Sequence, residues 1–484
     1  MNSFKSLFLL LLAACLCVSE NLHAQDTATT CTIDVEIKPF QNQWVYLACY
    51  YGNIKSLTDS AWLNSDGKGA FKRKELLPQG VYMVVSPQKS ILFEMMMGPD
   101  QQFSVVADTL NIESSLRISG SADNDLFVDY SKFLAVRVKS ADSIQQQMKT
   151  ATPAEQTKYN ARMQQFNRDI LNYREKVMNE HPDAVISMLF RTLSMVQYPP
   201  ALAKPVTKKD TIAQYRYGKE HFWDGIDFMD GRLVRTPVFE NKLNDYLENW
   251  IAPQADSVIF EFNWMIALGR NDDEMYKYLI SYFVDHYMYP KIMGQDKVFL
   301  HVYEQYLSGE HPKVDWLNAR QMKIITDRAL MLMANQLGTK AYDINLPDTA
   351  GAMKSMYQVK AKYTVVAFWD VHCGKCREEM PRMDSLYQKK WKSRDVKIYA
   401  VMVNETSLTD WPSYIRGTAP GWVHVHQPTT MREAEEKSGT PNFRQLYDMR
   451  STPTLYLLDA NKMIVAKNVS LHDLDNLLDL KFAQ

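Results

Sequence analysis

Three textures of apolar and polar positions succeed one another along the chain. In the first, Ile33, Val35 and Ile37 alternate with Asp34, Glu36 and Lys38, the period of a half-buried strand. Trp44 and Tyr46 open a second strand, with Pro39 to Gln43 as the connection. Further short strands are expected around 61–64, 69–72, 80–86, 90–96 and 102–107, separated by turn residues such as Asp66-Gly67 and Gly98-Pro99. This reads as a small antiparallel β-domain, a sandwich or barrel, over 26–120.

After Ser121 the period lengthens. Phe127, Tyr130, Phe133 and Leu134 recur at three-to-four spacing, predicting a helix over 123–148. Thr152-Pro153-Ala154-Glu155 starts another that runs to about Glu180. His181-Pro182-Asp183 opens a third, and Pro199-Pro200 through Asp210 reads as a loop. Helices then follow near 239–251, 255–268, 272–289, 295–308 and 315–335, so 121–335 reads as an all-α middle region.

The third texture begins at 336. Strands are expected at 363–369, 396–403, 453–458 and 462–466, and helices at 374–391, 408–416, 430–447 and 471–480. The order is βαβ followed by a hairpin and a closing helix. It predicts an α/β domain, a mixed central sheet with helices on both faces, at 336–484. The chain is therefore multidomain.

Composition narrows the field. The 484 residues carry a formal net charge of −1, which favours neither nucleic acid nor an anionic membrane as partner. Residues 1–24 read as a signal peptide. Lys5 is followed by an apolar run, Leu7 to Cys17, too short to span a bilayer. Leu22-His23-Ala24 before Gln25 is a small-residue cleavage site. Leu12-Ala13-Ala14-Cys15 also resembles a bacterial lipoprotein box, which would lipidate Cys15 and tether the protein to the envelope. Either reading exports the chain. Six cysteines are too few for a disulfide-stapled scaffold. If Pro39–Gln43 closes a hairpin, Cys31 comes near Cys49, as a structural disulfide or as two separate thiols.

The chemistry sits at 363–381. An apolar run ending at Trp369 meets a short link, then Cys373-Gly374-Lys375-Cys376, then a helical pattern. A cysteine at a helix N-terminus meets unpaired N–H groups and a positive dipole end, which favour the thiolate. His372, Lys375 and Arg377 are expected to add positive charge. Cys373 is the expected nucleophile and Cys376 the thiol that resolves a mixed disulfide. The competing reading is half a zinc site, with His424 and His426 as further ligands. Those two alternate on a strand, which more commonly means a solvated face. The middle region has scattered histidines, no phosphate loop and no serine elbow, so no second enzyme and no cofactor is read there.

Phe368-Trp369 followed by Cys373-x-x-Cys376, with Arg377-Glu378-Glu379-Met380-Pro381 after it, resembles the TlpA/ResA-like branch of the thioredoxin superfamily. Ser451-Thr452-Pro453-Thr454 resembles that family's cis-proline loop. The resemblance implies an extracytoplasmic thiol–disulfide oxidoreductase without cofactor or metal. Thr452 and Pro453 would bind the substrate backbone, and Trp369 and His372 would shape the surface around Cys373. Glu405, just after Tyr399-Ala400-Val401-Met402-Val403, matches the family's acid near the dithiol and would relay the Cys376 proton. Lys375 stands where many relatives carry proline. The β-rich and helical extensions resemble those of Bacteroidetes-type exported proteins. The implied partners are a protein or small-molecule disulfide and a membrane electron donor, in the periplasm. The rival function is a binding or redox-sensing module whose thioredoxin domain docks one partner without general turnover.

Overall fold

The computed structural model describes residues 30–309, 314–404, 409–419 and 421–483. The signal peptide, Cys15 and Glu405 lie outside the described residues. The chain forms two compact units, Met1–Tyr246 and Leu247–Gln484, so the division falls inside the helical stretch.

The first unit opens with eight strands: β1 (Cys31–Lys38), β2 (Gln43–Tyr51), β3 (Ile54–Leu63), β4 (Lys68–Arg73), β5 (Gly80–Val85), β6 (Ile91–Met97), β7 (Gln102–Asp108) and β8 (Arg117–Ser119). They make two four-stranded sheets, ordered β4-β1-β7-β8 and β3-β2-β5-β6. Ile33, Val35, Val45, Leu47, Tyr82 and Phe103 share one buried core drawn from both sheets. All pairings are antiparallel except β1 with β7, which runs parallel.

The expected hairpin between the first two strands does not form. β1 pairs with β4 and β7, and β2 pairs with β3 and β5, so consecutive strands enter different sheets. Cys31 and Cys49 are both free thiols. The cross-strand disulfide has no ladder to rest on, and that expectation is corrected.

Helices follow. Ala122–Met148 (α1) and Pro153–Glu180 (α2) form a long pair, α2 opening with a Thr152–Glu155 capping box. Tyr130, Val177, Ile186 and Phe190 knit them to α3 (Val185–Leu193). Then come α4 (Lys208–Glu220) and α5 (Phe239–Asp245). Helix α4 starts inside the expected 199–210 loop, because Thr207 and Asp210 form a capping box.

The second unit begins with α6 (Ala255–Gly269), α7 (Asp273–Tyr287), α8 (Asp296–Val302) and α9 (Ala319–Met333). A small hairpin, β9 (Asn345–Pro347) with β10 (Met353–Ser355), leads into a five-stranded sheet ordered β13-β12-β11-β14-β15. These strands are β11 (Tyr363–Trp369), β12 (Val396–Met402), β13 (Val423–His426), β14 (Thr454–Asp459) and β15 (Ile464–Lys467). β11 runs parallel to β12 and antiparallel to β14, so the sheet is mixed. Its helices are α10 (Gly374–Leu386), α11 (Trp411–Thr418), α12 (Thr429–Ser438), α13 (Phe443–Leu446) and α14 (Leu471–Ala483). Two cores cover its two faces. One gathers Val365, Ala367, Trp369 and Met380; the other gathers Val366, Phe368, Tyr399 and Tyr456. A central strand buried on both faces explains the unbroken apolar run Val365–Trp369.

Among the described residues, no helix is long and apolar enough to cross a membrane.

Candidate active site

Strand β11 delivers the dithiol. It ends at Trp369, whose carbonyl accepts the Val403 N–H at 3.0 Å. A tight link then turns into α10, with Cys373 as its N-cap residue. The Asp370 carboxylate shapes that link: Oδ1 accepts the His372 N–H at 3.0 Å and Oδ2 accepts from Asn404 Nδ2 at 2.9 Å. The Asp370 carbonyl accepts the Cys373 N–H at 3.2 Å. Sequence reasoning missed Asp370 and Asn404. An aspartate between a strand end and a helix start is an Asx-turn signal that could have marked the first. Nothing local marks Asn404.

The second piece arrives through the antiparallel register of β14, where Phe368 faces Thr454. This places the Thr452–Pro453 peptide, which is cis, beside the dithiol. The Cys373 thiol donates to the Thr452 carbonyl at 3.4 Å. Its Sγ also accepts the Cys376 N–H at 3.4 Å. The other end of the loop is fixed by Thr454, whose hydroxyl donates to the Ser451 carbonyl at 2.6 Å.

The two thiols stand in opposite environments. Cys373 is half-buried and Cys376 is 0% exposed. Burial alone would push the Cys373 pKa up. Hydrogen bonds from the Thr452 side chain, the Cys376 side chain and the Cys376 and Lys375 backbones outweigh it and hold the pKa below the ordinary thiol value. Cys376 is pushed up to about 12, first by burial and then by its hydrogen bond with Cys373. One thiol ionises readily while its neighbour keeps its proton.

The expected cationic contribution is absent from that balance. Lys375 reaches Glu379 at 3.8 Å, and His372 Nε2 reaches Asp410 at 3.5 Å, so both side chains face carboxylates. His372 is exposed. Trp369 is corrected. At 1% exposed it lies in the core with Cys376 and Met380, and a side chain so covered packs under the dithiol rather than facing a substrate.

The solvated-face expectation for β13 is also corrected. His424 stacks on Trp422 with centroids 5.7 Å apart, and His426 packs edge-on to Trp411 at 5.1 Å. His424 Nε2 bonds the Ala419 carbonyl at 2.9 Å. Among the described residues, no group of three or more His, Cys, Asp or Glu is placed to hold a metal.

The AhpC/TSA family model matches residues 337–467, and a domain of unknown function, DUF5106, matches 154–331. The thioredoxin-like protein YneN of Bacillus subtilis is 31% identical over 129 residues, covering 27% of this chain and 69% of YneN. The thiol-disulfide oxidoreductase ResA of Bacillus anthracis is 33% identical over 133 residues, covering 27% of this chain and 68% of ResA. A solved thioredoxin-like protein from Bacteroides caccae is 18% identical at a TM-score of 0.45, covering 59% of this chain and 98% of that one. The AhpC/TSA match, like the dithiol and the cis-proline loop, sits on the last third of the chain, and each of the two Bacillus relatives covers 27% of the chain. By that third, the chain belongs to the TlpA/ResA-like family of thioredoxin-like thiol–disulfide oxidoreductases.

Proposed function

We propose that the protein is exported to the periplasm and reduces disulfides there, with Cys373 as nucleophile and Cys376 as resolving thiol. The observation that carries this reading is the opposed environment of the two thiols. Cys373 is accessible and ionises easily, and Cys376 is buried and held protonated.

The Cys373 thiolate attacks one sulfur of the substrate disulfide. A mixed disulfide forms, and the other substrate sulfur leaves as a thiolate and takes a proton. Cys376 then loses its proton and attacks the Cys373 Sγ. The Cys373–Cys376 disulfide closes and the second substrate thiol departs. Two electrons have passed from the dithiol to the substrate. A membrane electron donor would return them by the reverse exchange.

Thr452 and Pro453 present the substrate-facing edge. Pro453 has no N–H to spend, and a peptide laid along the loop can pair with Thr452. His372 shapes the polar rim beside Cys373. Glu405 keeps its proposed part as proton acceptor for Cys376.

Reduction of an insulin-type disulfide by the mature protein with dithiothreitol tests the reading. Cys373→Ser is expected to fall to the rate of dithiothreitol alone. Cys376→Ser is expected to accumulate a mixed disulfide on Cys373. Unchanged turnover by Cys373→Ser overturns the assignment. If Cys376→Ser captures one partner while the wild type turns over no general substrate, the docking or sensing reading replaces it.

A further inference from the structure

The cis-proline loop is anchored from outside the sheet that carries the dithiol. It leaves α13 through Tyr447 and Asp448 and reaches Thr452 four residues later. Asp448 adopts a left-handed backbone, φ 44°, and its carboxylate is 4% exposed. A carboxylate buried that deeply needs a partner of good geometry. Arg328 of α9 supplies it as a two-pronged pair, Nη1 to Oδ1 and Nη2 to Oδ2, the latter at 2.9 Å. Arg328 is itself 5% exposed and is fixed in turn, its Nε donating to the Met288 carbonyl at 3.0 Å. The Tyr289 ring lies 4.7 Å from the Arg328 guanidinium and 5.0 Å from that of Arg450. Arg450, two residues before Thr452, also approaches the Asp448 carboxylate at 3.6 Å.

From this arrangement we infer that Arg328 is a positioning residue for disulfide exchange. Through Asp448 it sets where Thr452 and Pro453 stand over Cys373, which makes the helical segment before the thioredoxin-like sheet part of the substrate-binding apparatus. The inference deepens the reading of Cys373 and the Thr452–Pro453 loop proposed above and rests on it. Arg450 approaches the Asp448 carboxylate through Nε, whereas Arg328 meets both of its oxygens. Cys373 feels the loop directly: its Sγ lies 3.4 Å from the Thr452 carbonyl, and the Thr452 side chain beside it favours the thiolate, so moving the loop away removes that support.

Arg328→Gln with Asp448→Asn tests this in the full mature chain, since the neutral pair leaves no lone buried charge. Arg328→Lys is the second variant, keeping the charge but not the fork. Two readouts are taken on folded protein. One is the pH midpoint of Cys373 alkylation by iodoacetamide. The other is the split between KM and kcat for a protein disulfide. The neutral pair is expected to raise the midpoint and to raise KM about tenfold, equivalent to about 1.4 kcal/mol. Its kcat should stay within about twofold of wild type. Arg328→Lys should move both in the same direction by less. A merely stabilising pair would lower the melting temperature and leave midpoint and KM at wild-type values, and that result overturns the inference. If the neutral pair does not fold, Arg328→Lys decides by the same criteria. If the wild type fails to reduce any disulfide, the functional reading falls. The alkylation midpoint still reads the loop position.

Discussion

Cys373 and Cys376 are two residues of one type, separated by two positions, and their surroundings drive them apart. Cys376 is fully covered and its pKa is pushed from 9.0 up to about 12. An acid whose folded pKa is raised favours the folded state below the unfolded pKa. That stability is lost as pH rises through the folded value. The reduced protein should therefore lose up to about 4 kcal/mol between pH 9 and about 12 on account of this thiol. Cys373 is lowered, so its part runs oppositely and is complete once pH exceeds the ordinary thiol value. Urea titrations of reduced wild type and Cys376→Val across this window should show the wild type falling more steeply. Parallel slopes would mean that Cys376 is not held protonated. Asp370 is the other residue-scale case. Its carboxylate holds the turn before Cys373 through the His372 N–H and Asn404. Asp370→Ala should cost about 1 kcal/mol, as loss of a cap does, and slow Cys373 alkylation at neutral pH. A wild-type alkylation rate would count against the turn as the support of the thiol.

At the scale of elements, edge strand β15 carries a buried lysine that links sheet to helices. Lys467 is 5% exposed, and its Nζ donates to Asp296 Oδ2 at 2.6 Å and to the Asn335 carbonyl and Oδ1 at 2.8 Å. Its backbone N–H meets the Met293 sulfur at 3.4 Å, so the edge is covered rather than open. Lys467→Met should cost about 3–5 kcal/mol by leaving Asp296 without its cation. Adding Asp296→Leu should recover most of that loss, and urea unfolding of the three proteins measures both. Elements with strong local signals were legible in the chain. The expected 255–268 helix is Ala255–Gly269, and the 363–369 strand is Tyr363–Trp369. The dithiol was legible because strand, turn and helix are consecutive. The loop was legible because Thr-Pro is a short local motif. Strand β3 was read only at its end, because Ile54 to Leu57 are exposed and show no alternation. The expected helix over 430–447 is broken in two, since Gly439 takes φ 69° and Pro441 follows. Arg328–Asp448 and Lys467–Asp296 join residues 120 and 171 positions apart, and no periodicity reports such pairs.

For the whole molecule, these two buried pairs separate what the thioredoxin-like sheet needs to fold from what its site needs to work. The sheet's two cores draw only on residues from Leu337 onward, so a fragment of 336–484 keeps every apolar contact of those clusters. Without the helices, Asp448 and Lys467 become solvated, and a solvated charge no longer needs a partner. Such a fragment is expected to fold. The loop, however, loses its Arg328 anchor and Lys467 loses Asp296 and Asn335. A fragment of 247–484 keeps both, because α6 to α9 belong to the same compact unit as the sheet. The two fragments should therefore differ in function more than in fold. The longer one should reduce a protein disulfide with a KM within about twofold of the mature protein. The shorter one should show KM raised about tenfold and a higher alkylation midpoint for Cys373. Circular dichroism, gel filtration and steady-state rates on the two fragments check this. Equal KM values would confine the dithiol's working parts to the sheet. A rise in KM already in the 247–484 fragment would bring the N-terminal unit into substrate binding.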